Sequence, residues 1–170
     1  MTRFTQVFGL TVMVCLLAGC ANYHLGNGTE PKFSRLYIAP ITSEVNIPQA
    51  TALVTTQLRE AFIKDGRVAL AESPADSDAV LRVTLTTYQR DVAVSLPNDT
   101  KLARRFDVSI HARATLTLGA DQKSAFTDRP LVANRGVFKD NGQQQSEYQT
   151  LPLLAEILAQ QALHATLDTW

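Results

Sequence analysis

From Phe106 to Leu118 the chain alternates without a fault. Every even position is apolar (Phe106, Val108, Ile110, Ala112, Ala114, Leu116, Leu118), and every odd one is polar (Asp107, Ser109, His111, Arg113, Thr115, Thr117). Alternation this long predicts a strand with one buried and one wet face. The preceding stretch, Ala79 to Val92, reads the same way, with Leu81, Val83 and Leu85 on one side and Arg82, Thr84, Thr86 and Tyr88 on the other. A loop over 95–103 containing Pro97-Asn98-Asp99 turns one strand back on the other. Two shorter strands are expected at Leu36–Ile41, stopped near Pro40, and at Arg67–Leu70, and a last one at Arg129–Lys139 with Gly136 as a bulge.

Helical spacing appears twice. Ala50, Val54, Leu58, Ala61 and Phe62 form one stripe, with Asn46 as the N-cap, Pro48 in the first turn and Asp65-Gly66 as the stop. Leu151, Leu154, Leu158, Ala162 and Ala165 form a second stripe, capped near Thr150, since Pro152 is tolerated only close to a helix start. Asp76 and Asp78 belong to the turn before the long strands. Two one-sided helices can cover one face of a sheet. The expected fold is therefore α+β, a two-layer α/β sandwich with two amphipathic helices on one face of a four- to five-stranded mixed sheet. Arg82, Thr84, Tyr88, His111 and Arg113 are left on the other face, for water or a partner.

The N-terminus has a different character. Arg3 precedes an apolar run from Val7 to Leu17, which ends in Ala18-Gly19-Cys20. Eleven residues fall short of the roughly 20 that a membrane-spanning helix needs, and the order of charge, apolar run and small residues is that of a cleavable signal. Leu17-Ala18-Gly19-Cys20 resembles the lipobox of bacterial lipoproteins, in which the cysteine thiol takes a diacylglyceryl group and the freed amine is then acylated. This implies a signal peptide over 1–19, a lipid-anchored tether over 20–34 and a single domain over 35–170. By resemblance to enterobacterial lipoprotein sorting, Ala21 rather than Asp implies the outer membrane.

Charge and cysteine content narrow the functions further. The whole chain has 16 basic and 16 acidic residues, and removal of Arg3 with the signal leaves 15 against 16. That balance argues against nucleic acid as the main partner. Cys15 departs with the signal and Cys20 is the anchor, so the mature fold has no thiol pair for a disulfide or a metal. No nucleophile elbow, phosphate loop, zinc helix or dinucleotide turn is present. His24, His111 and His164 are scattered over different elements, none has a second histidine at ligand spacing, and each is read as solvated or structural. No cofactor is expected beyond the acyl groups on Cys20, and no enzymatic activity.

Lys101, Arg104 and Arg105 cluster where the chain returns from the central loop, with Arg90 before it and Arg129, Arg135 and Lys139 on or beside the last strand. These are either solvated strand-end charges or a cationic strip for the phosphates of an anionic glycolipid. The mature chain also resembles the LptE family of lipopolysaccharide-assembly lipoproteins. The resemblance rests on Tyr23-His24-Leu25 just after Ala18-Gly19-Cys20, an early strand and helix ending at Gly66, Ala79 to Leu85 running into Tyr88-Gln89-Arg90, and Arg105-Phe106-Asp107-Val108. It implies a non-enzymatic plug and partner of the LptD-type outer-membrane barrel, facing the periplasm and the barrel lumen, with Lys101, Arg104, Arg105 and Lys139 as the residues that contact lipopolysaccharide. The rival reading is an envelope lipoprotein that serves as a binding or auxiliary subunit of another transport system. In either case a Cys20→Ala variant should take up no radiolabelled palmitate in cells. Labelling equal to that of the natural protein would place the acyl chain elsewhere.

Overall fold

The computed structural model describes residues 31–92, 105–119, 123–138 and 143–168. Six strands form one sheet: β1 (Arg35–Ile38), β2 (Thr42–Ser43), β3 (Ala69–Leu70), β4 (Ala79–Val92), β5 (Arg105–Leu118) and β6 (Lys123–Phe138). The spatial order is β3-β1-β4-β5-β6, with β2 pairing β4 beyond the end of β1. β1 is parallel to both β3 and β4, and β2 is parallel to β4, whereas β4, β5 and β6 form an antiparallel meander. The sheet is therefore mixed, as expected. Pro40 separates β1 from β2 because it has no N–H to give the ladder. On either side of it, Ala39 donates to the Leu81 carbonyl at 3.0 Å and Glu44 to the Leu85 carbonyl at 2.8 Å.

Helices α1 (Pro48–Asp65) and α2 (Gln143–Leu167) cover one face. The predicted stripe of α1, Ala50, Val54, Leu58, Ala61 and Phe62, is buried as a whole. Gly66 ends the helix at φ 74, a left-handed conformation that is cheap without a Cβ, and its N–H reaches the Phe62 carbonyl at 3.1 Å. At the other end the cap position falls to Ile47 with no side-chain bond, instead of Asn46, and Pro48 opens the helix. Helix α2 begins earlier than the apolar stripe suggested, so Thr150 and Pro152 lie inside it. Its first turns are rich in Gln and Glu, good helix formers that carry no apolar period. Ala155, Ala159 and Ala162 are buried beside Leu151, Leu154, Leu158 and Leu163, so small residues let the helix lie close.

Beneath the helices the even positions of β5 from Val108 to Leu116 are buried, together with Leu36 and Ile38 of β1, Leu81, Val83 and Leu85 of β4 and Leu131, Ala133 and Val137 of β6. Gly136 is not a bulge; it lies regularly opposite Asp107. The irregularities of β6 fall nearer its start, one between Ser124 and Phe126 and one between Phe126 and Arg129, where Asp128 has φ 50 and its N–H reaches Thr115 Oγ1 at 3.2 Å. β6 is the outer strand of the meander, and α2 closes part of its edge. The Gln161 side-chain amide accepts the Val132 N–H at 2.9 Å and donates to the Val132 carbonyl at 2.8 Å, doing what a neighbouring strand would do. Arg129 reinforces the seam by donating to the Ala165 carbonyl at 2.9 Å while lying over the Phe126 ring. A Gln161→Leu variant keeps the bulk but leaves this edge to water. It should lose about 1–2 kcal/mol in urea unfolding and self-associate more readily in sedimentation.

Candidate functional site

The chemistry gathers at the end of the sheet where β4 stops at Val92, β5 starts at Arg105 and β6 stops at Phe138. Three rows cross the strands there. Tyr88, Ile110 and Ala133 lie side by side, then Arg90, Val108 and Arg135, then Val92, Phe106 and Val137. Residues directly opposite in a ladder share a face, and Val108, Ile110, Ala133 and Val137 are buried on the helix side. Arg90 and Arg135 therefore flank the apolar Val108 on that side, with both residues largely exposed. Two strand spacings put their backbones about 10 Å apart.

The expectation that Tyr88 shares the open face with Arg82 and Thr84 is corrected. The register shifts between Leu85 and Thr87, which turns Tyr88 over to pack against the core. The signal was present as spacing. Leu81, Val83 and Leu85 step by two, but Leu85 to Tyr88 steps by three, one residue too many for an unbroken strand.

Of the residues singled out from the sequence, Cys20, Lys101, Arg104 and Lys139 lie outside the described residues. Arg105 opens β5 with its backbone opposite Phe138. Arg90 and Arg135, noted as part of a wider scatter of charge, are the pair that the ladder brings into one row. Arg129 belongs to the seam with α2.

The open face is mainly polar. Thr42 and Thr84 share a hydroxyl bond at 2.8 Å, Arg113 reaches Glu44 at 2.5 Å, and Arg82 donates to Thr117 Oγ1 at 3.3 Å. Thr87, His111 and the exposed Val132 form one row, and Gln89, Ser109 and Asn134 the next. Asp91, Asp107 and Gly136 form the last.

A second polar cluster ties the C-terminal ends of both helices. Arg67 forms two bonds to the Asp65 carboxylate, at 2.8 and 3.0 Å, and one to Asp168 at 2.6 Å. The other oxygen of Asp168 meets His164 Nδ1 at 2.5 Å. A guanidinium suits the negative ends of two helix dipoles. The hydrogen bond from Arg67 holds the Asp65 carboxyl below the usual carboxylate range. For Asp168 the His164 hydrogen bond acts first and Arg67 second, in the same direction. Where β1 and β4 start, Asp78 is lowered by the backbone N–H groups of Arg35 and Ser34, at 2.9 and 3.1 Å.

Among the described residues no three His, Cys, Asp or Glu side chains are grouped to hold a metal ion, and no helix is long and apolar enough to cross a membrane. Residues 33–166 match the family model of LptE, described as lipopolysaccharide-assembly. The chain belongs to the LptE family. No curated protein sequence matches it. The LptE-family domain is similar in fold to a minor lipoprotein from Acinetobacter baumannii, at 17% identity and a TM-score of 0.54, covering 78% of this chain and 92% of that one. It is similar also to a Xanthomonas campestris protein (15% identity, TM-score 0.62, covering 84% and 89%). A third likeness is to lipoprotein B from Nitrosomonas europaea (15% identity, TM-score 0.53, covering 85% and 86%).

The helix-end cluster gives this LptE-family domain a pH dependence. Asp65 and Asp168 bind protons less readily folded than unfolded. Their contribution to stability is therefore complete above the unfolded carboxylate value, about 3.9, and is lost as pH falls through the lower folded values. An Asp168→Asn variant should melt below the natural protein at pH 7, and the gap should narrow as pH is lowered from 5 to 2. A gap that stays constant over this range would mean that the carboxylate charge does not hold the helix ends.

Proposed function

We propose that this chain is an outer-membrane lipoprotein, anchored through acyl groups on Cys20, that serves as the plug and partner of an LptD-type barrel delivering lipopolysaccharide to the outer leaflet. The observation that carries the reading is the family match over residues 33–166. The geometry supports it in two ways. The open sheet face is lined mainly by Thr, Ser, Asn, Gln, His, Arg and Asp, with Val132 exposed among them, and suits the polar, hydrated interior of a large barrel. On the helix side Arg90 and Arg135 stand about two strand spacings apart across the buried Val108, with the part-exposed Phe106 in the next row, a pair of cations that suits the phosphates of an anionic lipid.

Arg105 opens β5 and Lys101 and Arg104 precede it in sequence, while Lys139 follows Phe138, the last residue of β6; on this reading they contact the same lipid. The role is binding and positioning. The chain transfers no group and needs no cofactor, and its own work is to occupy the lumen and hold lipid phosphate.

Two experiments test the reading. Affinity capture of the full lipidated protein in mild detergent should bring down a barrel of much larger mass, and depletion should reduce lipopolysaccharide at the cell surface. Recovery of the lipoprotein alone would favour a subunit of some other transport system. An Arg90→Glu, Arg135→Glu double variant should bind purified lipopolysaccharide at least about tenfold more weakly at low salt, from the loss of charge-assisted hydrogen bonds worth about 1.5–3 kcal/mol each. Arg104→Glu with Arg105→Glu should act in the same direction, and both effects should shrink as salt is raised.

A further inference from the structure

Between Leu85 and Thr87, β4 takes in one residue more than β5. Leu85 lies opposite Ala112 and Thr87 opposite His111, its immediate neighbour, so Thr86 has no place in the ladder. Its hydroxyl is held instead by the His111 carbonyl, at 3.2 Å. Before this bulge the odd-numbered residues Leu81, Val83 and Leu85 face the helices; after it the even-numbered Tyr88 and Arg90 do. A continuous ladder running on from Leu85 would bring Arg90 opposite Asp107 on the open side and Gln89 opposite Val108. The row shared with Arg135 would then hold one cation.

The bulge thus sorts charge by side. On the helix side the row reads Arg90, Val108, Arg135, and on the open side the next row reads Asp91, Asp107, Gly136. Phosphate is drawn to the first and repelled by the second. We propose that the bulge at Thr86 makes the lipid grip one-sided, so that the phosphates of an anionic lipid are held on the helix side of the sheet while the open side stays available to a protein surface. The inference rests on the lipopolysaccharide reading given above and adds to it the side of the sheet and the residue that sets it. Bulges commonly re-aim a side chain beside a functional site.

The test moves one charge through the sheet. A Gln89→Arg, Arg90→Gln exchange keeps composition and net charge and shifts the guanidinium by a single residue. In the full lipidated protein in detergent, it should bind bisphosphorylated lipid A about tenfold more weakly than the natural protein, matching Arg90→Gln alone, because the second cation of the row is gone. Natural affinity in the exchange variant would overturn the one-sided grip. Should Arg90→Glu with Arg135→Glu leave affinity intact, the lipid-binding reading itself fails, which is a separate result. Inorganic phosphate at the lipid concentration should not displace the lipid, and displacement would make the row a site for free anions instead. Independently of folding in the exchange variant, cysteines introduced at 90 and 135 should be bridged by a rigid bismaleimide with a reach of about 10 Å, and cysteines at 89 and 135 should not. The reverse pattern would overturn the sidedness.

Discussion

The pairing of β4 with β5 is the constraint on which the rest of this structure depends. Each strand runs for 14 residues, and side chains in a ladder alternate with a period of two, so a slip of one residue would exchange the buried and wet faces of a whole strand. β5 obeys the rule throughout, which fixes the side that must be covered. β4 cannot obey it along its full length, because Leu85 and Tyr88 are three residues apart and both belong against the core. One residue looped out at Thr86 keeps both in place. The helices follow from this choice of side, because the buried faces of β4, β5 and β6 together with β1 present one apolar surface to α1 and α2.

The two faces are held by different physics. The helix side is stabilised by burial of Leu, Ile, Val, Ala and Phe, at about 1.5–3 kcal/mol for each large side chain fully covered. On the open side the ion pair of Arg113 with Glu44 leaves both side chains about half exposed, 45% and 52%. Exposed pairs of that kind contribute roughly 0–1 kcal/mol. The open face therefore adds little to stability, and its run of threonines satisfies strand preference without creating apolar surface. A protein that must keep one sheet face wet and still avoid edge-to-edge association needs its outer strand covered, and the amide of Gln161 supplies that cover from the helix side of the molecule.

The parts of this architecture legible in the sequence were those written as periodicity. The stripe of α1, its stop at Gly66, the alternation of β5 and the two helices among the described residues all follow from spacing, because burial on one face imposes a period. The early start of α2 was not legible, since Gln143 to Gln149 has no apolar period to betray a helix and only propensity marks it. The clamp of Gln161 on Val132 was hidden for a different reason: a side-chain amide replacing a strand leaves no trace at either position. The basic site was half legible. Composition gathers Lys101, Arg104, Arg105 and Lys139 near two connections, but sequence cannot say which cations share a face. That required the register, which pairs Arg90 with Arg135 across Val108.

Register also fixes how far apart the two ends of the domain work. The chain reaches β1 beside Asp78, whose carboxylate takes the N–H groups of Ser34 and Arg35. Arg90 lies twelve positions along β4 from that point, roughly 40 Å at the rise of an extended strand. Ordered ladders of β5 and β6 accompany β4 over this length, so the separation is that of a braced ribbon and not of a loose arm. Within the proposed reading, an anchor on Cys20 acts on the domain from the end where the chain arrives, and the basic row acts at the other. On that reading lipid would be gripped and released roughly 40 Å from the point where the chain enters the sheet.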